Sequence, residues 1–421
     1  MNVNVRTDRR FVRAQAHSTR YALVSLTAPE APRRPERQPV NVAFVLDRSG
    51  SMGGQKIQLA REAVGQALRM LRPEDRFSLV VYDDQVDLVV ESTQATREAV
   101  RNALSRLAHI GARGSTDLGS GWLRGCEQVA AHLEADATGR CLLLTDGLAN
   151  HGITDHDELV RHAGELRSRH VTTSTFGVGE DFDERLLHRM ADAGAGHFYF
   201  IETATQIPDL LTSELGEALE TVAREAALLA VLPAGVQAEP LNPFRFASVG
   251  DGTVRIELGD LVSGQEVAAV VKLTFPEGAR GDTIAVRFRL QDREGVLGEE
   301  WQVLGWTFAG HHENDVQVRD VVVDRAVAEL YAARARAEAL VHNRAGRYAE
   351  ARHVLEATER RIRQYAGNDP ELNRIADALR EDQSLYEANM TALAMKQQHY
   401  ASYNVSHMRE ATGKARKGPK A

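Results

Sequence analysis

The stretch from Asn41 to Met52 reads NVAFVLDRSGSM. It starts with a run of apolar residues, Val42–Leu46, which is typical of a strand that is buried on both faces. Three oxygen-bearing side chains follow at once, those of Asp47, Ser49 and Ser51. Oxygens at the end of a buried strand are costly unless they have partners. We therefore expect this strand end to hold a ligand.

The residues around this stretch predict an α/β fold. From Val40 to about Ala218, apolar strand patterns alternate with amphipathic helix patterns. Such alternation indicates a doubly wound, mostly parallel sheet with helices on both faces. From Val222 the apolar residues recur with a period of two, between turns rich in Gly and Pro. This second pattern indicates an antiparallel β-sandwich.

We expect five regions along the chain. Two strand-like runs precede a Pro-rich segment, and because the ends of a doubly wound domain often lie close together, these strands could pair with the sandwich. A helical period returns near Val316, and the third predicted helix runs from Asn368 to about Tyr400. The predicted regions are N-terminal strands and a Pro-rich linker belonging to the sandwich (1–38), the doubly wound domain (39–218), the β-sandwich (219–312), a helical region (313–400) and a flexible basic tail (401–421).

Two further loops carry the same chemistry as the first. Gly114-Ser115-Thr116-Asp117 precedes a predicted helix, and Thr145-Asp146-Gly147 follows the apolar strand that starts at Cys141. Ligands of open α/β sheets bind at the carboxyl ends of the strands, near the point where the strand order reverses. Carboxylates and hydroxyls without imidazole or thiolate suit Mg²⁺, Mn²⁺ or Ca²⁺. The three loops therefore predict a divalent-cation site.

These motifs resemble the von Willebrand factor type A domain. D-x-S-x-S after an apolar strand, a Thr in a later glycine-rich loop, and T-D-G after another strand together match its metal-ion-dependent adhesion site. The strand end GVGEDFDERLL and the following GAGHFYFIE are similar to bacterial and intracellular members. The resemblance covers roughly residues 39–218. It implies that Ser49 and Ser51 coordinate the ion directly and that Thr116 does so in the open form. Asp47 and Asp146 would act partly through waters, with a balance that shifts with conformation.

The resemblance also implies a function. In that family, a carboxylate of a partner protein completes the coordination of the ion, so we expect a metal-dependent protein-binding module and not an enzyme. One alternative is a subunit of an ATPase-driven complex of the AAA or chelatase type. Another is a metal-dependent hydrolase. The sequence contains no H-E-x-x-H, no G-x-S-x-G and no G-x-x-x-x-G-K-[ST] motif, which argues against several hydrolytic classes.

Composition sets the remaining expectations. The net charge of −8 over 421 residues gives no overall attraction to nucleic acid, so we expect no nucleic acid partner. No apolar run approaches the ~20 residues that span a bilayer, and the first residues lack the apolar core of a secretory signal. The chain has two cysteines, Cys126 and Cys141, too few for a disulfide-stapled secreted scaffold. We expect a cytoplasmic protein with reduced thiols.

Two groups of residues near these loops have open interpretations. His151, His156 and His162 follow Asp146 and are either solvated side chains or additional bases or ligands. Arg48 lies inside the first motif, where it either attracts acidic partners or is simply solvated.

Overall fold

The computed structural model describes residues 3–31, 38–133 and 138–418. The chain divides into two compact units, one made of Met1–Ala31 with Thr221–Ala421 and the other of Pro32–Glu220. Half of the predicted Pro-rich segment, residues 32–37, lies outside the described residues, and so do the last three residues of the predicted tail.

Three N-terminal strands open the chain, namely β1 (Val3–Thr7), β2 (Phe11–Arg13) and β3 (Ser18–Thr27). The chain then enters the α/β unit. Its strands are β4 (Val40–Asp47), β5 (Arg76–Tyr82), β6 (Val86–Gln94), β7 (Thr138–Thr145), β8 (Val171–Val178) and β9 (Ala195–Ile201). Its helices are α1 (Gln55–Met70), α2 (Arg97–Leu107), α3 (Leu118–Ala130), α4 (His156–Arg167), α5 (Glu184–Ala193) and α6 (Ile207–Leu219).

Strand β4 is the centre of the α/β unit. The strand order is β6-β5-β4-β7-β8-β9, and every residue of β4 is buried. Strand β6 runs antiparallel to β5, whereas the other neighbouring strands are parallel. The predicted doubly wound, mostly parallel sheet is confirmed. The chain adds β5 and β6 on one side of β4 and then crosses to add β7, β8 and β9 on the other side. The strand order therefore reverses at β4. Ligands of such sheets bind beside the strand end at this point.

Side chains of β4 alternate between two helical layers. Val42, Phe44 and Leu46 belong to the apolar core that α1 and α6 also enter. On the other face, α3 approaches β4 so closely that a Cβ at Gly125 would overlap Val45 Cγ2. This close approach is possible because Gly125 has no side chain, and it fixes where α3 lies relative to the end of β4.

The other unit contains two sheets. Its later strands are β10 (Thr221–Val231), β11 (Gln237–Pro240), β12 (Phe246–Ser248), β13 (Thr253–Val262), β14 (Glu266–Phe275), β15 (Thr283–Gln291) and β16 (Gln302–Ala309). One sheet has the order β1-β3-β14-β11, and the other has the order β12-β13-β10-β15-β16-β2. Apolar residues from both sheets form one core, including Val24 and Leu273 from the first and Leu228 and Phe288 from the second.

The N-terminal strands complete this unit. Strand β3 pairs antiparallel with β14 along its whole length, from Ser18 opposite Phe275 to Thr27 opposite Glu266. The sequence did not indicate β2, β11 or β12. Each has only three or four residues, too few to show a period of two, and strand pairing alone defines them.

The helices that follow are α7 (His311–Val316), α8 (Val321–Arg344), α9 (Tyr348–Ala366), α10 (Pro370–Leu385) and α11 (Ala392–Ser406). Helix α8 packs Val323, Val327 and Leu330 against Leu23 of β3 and Val270 of β14. The helices therefore belong to the same compact unit as the two sheets. Among the described residues, no helix combines the length and the hydropathy that crossing a membrane requires.

The third predicted helix is in fact two helices. Its expected course from Asn368 to Tyr400 is interrupted between α10 and α11. The buried side chain of Asn343 on α8 holds the interruption, because its Nδ2 donates to the carbonyl of Ala388 (2.7 Å) and its Oδ1 accepts the N–H of Met390 (3.3 Å). A distant buried amide thus replaces the hydrogen bonds that a continuous helix would have made.

The predicted flexible tail also differs from the structure. Residues 401–406 belong to α11, and the segment beyond it reaches the start of β14. There the N–H of Glu266 donates to the carbonyl of Arg416 (2.9 Å), and Gln265 forms a bridge with Lys417. Backbone pairing therefore orders a segment whose small and basic composition is typical of disorder.

Candidate metal centre

The first loop of the site is built around Asp47, the last residue of β4. Its side chain is fully buried, and both of its oxygens accept hydrogen bonds. Oδ1 accepts the backbone N–H of Ser49 (2.7 Å), and Oδ2 accepts the hydroxyl of Thr145 at the end of β7 (2.6 Å). Burial raises the pKa of Asp47 to about 6, and these hydrogen bonds oppose the rise.

The second carboxylate of the site is that of Asp146, directly after the end of β7. Ser51 donates its hydroxyl proton to Oδ1 of the buried Asp146 (2.7 Å), and Ser49 Oγ lies 3.1 Å from Ser51 Oγ. A serine that gives its proton to a carboxylate keeps its oxygen lone pairs for another partner. The four predicted residues on these two loops, Asp47, Ser49, Ser51 and Asp146, are therefore held together before any ion is considered.

The third loop brings Thr116 to the same place. The N–H of Gly50 donates to the carbonyl of Gly114 (3.1 Å), and the N–H of Arg113 donates to the carbonyl of Arg48 (2.7 Å). Thr116 is buried and lies against Gly147, where an added Cβ would be 3.1 Å from Thr116 Oγ1. The structure therefore places Asp47, Ser49, Ser51, Thr116 and Asp146 on three contacting loops at one edge of the sheet.

The donor set fits a small hard cation. The five side chains offer hydroxyl and carboxylate oxygens, the ligands that Mg²⁺, Mn²⁺ and Ca²⁺ prefer. Two neighbouring ligands of an octahedral Mg²⁺ at its usual bond length are about 3 Å apart, and the Ser49 and Ser51 oxygens are 3.1 Å apart. The residues present therefore fit a divalent ion.

Two residues of the site were not predicted as such. Thr145 belongs to the T-D-G motif, but its role is to fix Asp47. Lys56, in the first turn of α1, forms an ion pair with Oδ2 of Asp146. Nothing in the local pattern of α1 distinguishes Lys56 from an ordinary solvated lysine; only its distance from Asp146 in the folded chain identifies it.

Arg48 makes contacts within the protein and is therefore not simply solvated. Its side chain is largely buried, and it donates to the carbonyl of Gly111 (3.0 Å) and pairs with Asp87 (3.4 Å). Arg113 pairs with the same Asp87 and with Asp83. The two arginines therefore brace the loop that carries Thr116 against the turn between β5 and β6.

The three histidines face carboxylates outside the set of five. His151 lies 3.4 Å from Asp117, and His156 lies 3.7 Å from Asp183. His162 lies between Glu158 and Glu165 of its own helix, 3.5 Å from each. These contacts are those of surface ion pairs and of helix ends.

A second polar cluster lies within the α/β unit. Glu214 of α6 is fully buried and accepts hydrogen bonds from Ser174 (2.5 Å) and Tyr199 (2.6 Å), with His197 Nδ1 at 2.9 Å. The Arg140 guanidinium lies 3.8 Å away. Because a cation and three hydrogen-bonding groups already surround this carboxylate, the cluster anchors α6 to the sheet.

Comparison with known proteins gives a family match for most of the α/β unit and two relatives that cover about two thirds of the chain. Residues 41–213 match the family model of the von Willebrand factor type A domain. Uncharacterized protein YfbK of Escherichia coli is 26% identical over 287 residues, which are 65% of this chain and 48% of that protein. Uncharacterized protein sll0103 of Synechocystis is 28% identical over 299 residues, 68% of this chain and 69% of that protein. The chain thus spans about half the length of the first relative.

Solved structures share the fold of nearly the whole chain. A von Willebrand factor type A protein from Catenulispora acidiphila superposes with a TM-score of 0.67 at 16% identity, covering 92% of this chain and 97% of that one. The ArnB paralog VWA2 from Sulfolobus acidocaldarius gives 0.61 at 15% identity, covering 96% and 98%. The chain therefore contains a von Willebrand factor type A domain at residues 41–213, a module that typically mediates protein–protein interaction.

Proposed function

We propose that the type A domain binds one divalent cation through Ser49, Ser51 and Thr116, with Asp47 and Asp146 acting partly through waters. The 3.1 Å spacing of the two serine oxygens, with Ser51 donating to a buried carboxylate, is the observation that carries this proposal. Mg²⁺, Mn²⁺ and Ca²⁺ all prefer such oxygen ligands, and we propose Mg²⁺ as the ion, with Mn²⁺ or Ca²⁺ as the alternatives. When bound, the ion would supply a Lewis-acidic position for an external oxygen.

We further propose that this external oxygen belongs to a carboxylate of a partner protein, and that the domain binds without catalysing a reaction. The rim of the site supports a protein partner. Ser51 is exposed, and the side chain of Leu148, two residues after Asp146, is 51% exposed. An apolar side chain beside a polar site can pack against a partner protein, whereas a free anion would make no such apolar contact.

Calorimetric titration tests the metal site. Mn²⁺ or Mg²⁺ added to the full chain should bind at one site, and Asp47→Ala or Ser49→Ala should abolish binding with the fold retained. The matched control is Ser168→Ala, which removes an exposed hydroxyl at the end of α4 that donates to the carbonyl of Glu165. Absence of divalent-ion binding to the unsubstituted protein would refute the proposal.

Pull-down from a lysate with and without a chelator tests the partner. A protein retained only in the presence of the divalent ion, and lost with Ser49→Ala, would support the proposed function. Retention of an ATPase would favour the alternative of a subunit in an ATPase-driven complex. Hydrolysis of phosphoester or peptide substrates that is lost with Asp47→Ala would overturn the non-enzymatic assignment.

We propose a reducing compartment, the cytoplasm, as the location. Cys126 and Cys141 are both buried, and their thiols are hydrogen-bonded to each other but not joined. Burial raises the pKa of the Cys141 thiol well above its usual value, which keeps it in the unreactive protonated form. Fractionation of the cells that express the protein tests the location, and recovery outside the cytoplasm would contradict it.

A further inference from the structure

Lys56 forms an ion pair with Asp146, one of the candidate metal ligands. It is the second residue of α1, and its ammonium pairs with Oδ2 of Asp146, whose other oxygen accepts the hydroxyl of Ser51. The side chain is 29% exposed. On its other side, an added Cβ at Gly179 would lie 3.7 Å from Nζ. Lys56 thus lies between the end of β7 and the loop after β8.

The position of Lys56 within its helix is electrostatically unfavourable. The first turn of a helix carries a partial positive charge, which disfavours a cation there. Helix α1 has no acidic residue in its first turn and no side chain that caps it. The ion pair with Asp146 is therefore the interaction that holds the ammonium in this place, and the helix start adds to the positive potential at the site.

Several other charged residues near the site contact partners outside the set of five ligands. Arg48 and Arg113 pair with Asp83 and Asp87. Asp117, next to Thr116, accepts the N–H of Ser120 at the start of α3 and faces His151. The charged groups within the site are therefore the carboxylates of Asp47 and Asp146 and the ammonium of Lys56, which contacts Asp146.

We propose that Lys56 determines the charge of the metal-loaded site and thereby its preference for a carboxylate. This inference rests on the proposed function. Two carboxylates and one ammonium carry −1, so that a divalent ion brings the site to +1 and one partner carboxylate brings it to zero. Without Lys56, the loaded site would already be neutral, and an incoming carboxylate would leave it with −1.

Two opposite effects of Lys56 follow from this charge. Lys56 and the ion share Asp146 and repel each other, so that Lys56 weakens the binding of the ion alone. The same positive charge attracts the anionic partner, so that Lys56 strengthens the binding of the carboxylate. Because the partner carboxylate binds to the ion itself, each holds the other in the site more tightly, and by thermodynamic linkage this coupling is reciprocal.

Three variants test the proposal with Mn²⁺ as the probe ion and acetate as the probe carboxylate. Lys56→Met removes the charge and keeps the length of the chain, whereas Lys56→Arg keeps the charge. Lys272→Met removes one positive charge from β14, in the other compact unit, and is the control for net charge. Calorimetry measures the affinity for Mn²⁺, and water-proton relaxation of the Mn²⁺-loaded protein measures acetate binding.

We expect Lys56→Met to bind Mn²⁺ about tenfold more tightly and acetate about tenfold more weakly. Lys56→Arg and Lys272→Met should stay close to the unsubstituted protein in both. If Lys56→Met leaves both affinities unchanged while the unsubstituted protein binds Mn²⁺, the role of Lys56 is wrong and the metal site stands. If the unsubstituted protein binds no Mn²⁺, both proposals fail. Should Lys56→Met fail to fold, Lys56→Gln is measured in the same way with the same expectations.

Discussion

At the scale of single residues, the site depends on which oxygens accept the hydrogen bonds of its hydroxyl groups. Thr145 donates a hydrogen bond to Asp47, and Ser51 donates one to Asp146. Each donation neutralises part of a buried carboxylate and fixes the direction of an oxygen lone pair. Groups that orient metal ligands in this way affect affinity almost as strongly as the ligands themselves.

Thr145→Val tests this role, because it removes the hydroxyl and conserves the shape of the side chain. We expect the affinity for Mg²⁺ to fall about 10–100-fold, measured by calorimetry. The loss of the donor to Asp47 should also lower the free energy of unfolding by about 1–3 kcal/mol. Thr172→Val is the control, since Thr172 donates to the carbonyl of Gly139 on β7, away from the ligands. Equal metal affinity in the two variants would contradict the role of Thr145.

The raised pKa of Asp47 predicts how stability changes with pH when a chelator is present. The folded protein holds this proton more tightly than the unfolded chain, because the pKa of Asp47 is about 6 in the folded protein and its ordinary value is 3.8. The stability contributed by the protonated group is therefore present below pH 4 and lost as pH rises through 6. Between pH 5 and pH 7, this group should lower the free energy of unfolding by about 1 kcal/mol.

Urea unfolding at both pH values measures this change against Asp47→Asn, which cannot titrate at that position. The stability of the unsubstituted protein relative to Asp47→Asn should fall as pH rises, and Mg²⁺ added at pH 7 should stabilise the unsubstituted protein alone. A difference that does not vary with pH would show that Asp47 is ionised throughout this range.

At the scale of elements, α3 decides where the third loop lies. Asp117 caps this helix directly after Thr116, and Gly125 allows the helix backbone to pack against Val45 of β4. The capping loop and the helix therefore move together. A change in the distance between α3 and the sheet would shift Thr116 relative to Ser49 and Ser51.

Gly125→Ala tests this coupling. The added methyl group would overlap Val45 Cγ2, and we expect a loss of about 1–3 kcal/mol in the free energy of unfolding, together with weaker Mg²⁺ binding. Gly164→Ala on α4 is the matched control, because an added Cβ there meets nothing within 4 Å and replaces glycine by a better helix former. It should be neutral or stabilising. A Gly125→Ala variant as stable as this control would contradict the close approach of α3.

At the scale of the whole molecule, one unit is continuous in sequence and the other is not. The unit with the two sheets takes its strands from both ends of the chain, because β3 lies between β1 and β14. The α/β unit draws on the residues between them. The continuous unit can therefore keep its core when the N-terminal strands are lost, whereas the other unit cannot.

Deletion of residues 1–27 tests this difference. It removes β1, β2 and β3, and with them the partner of β14 and the core residues Ala22, Val24 and Leu26. We expect limited proteolysis to degrade the part after Thr221 and to leave a resistant fragment of the type A domain that binds Mn²⁺ with unchanged affinity. Resistance of the later part equal to that in the full chain would show that the N-terminal strands are dispensable.

The sequence alone determined the elements whose pattern is local. Strand β4 and its neighbours follow from runs of apolar residues, and the positions of Asp47, Thr116 and Asp146 at strand and helix ends follow from where those runs stop. The resemblance of the motifs then implied the ligand set, and the five residues do lie on contacting loops.

Only the tertiary structure decided which distant groups pair. Lys56 and Asp146 are 90 residues apart, Thr145 and Asp47 are 98 apart, and Asn343 reaches residues more than 40 positions away. The period of a helix or a strand shows which face of an element is apolar, but it carries no information about which polar group lies opposite in space. The ammonium beside Asp146, the interruption between α10 and α11, and the ordered segment against β14 therefore became visible only in the folded chain.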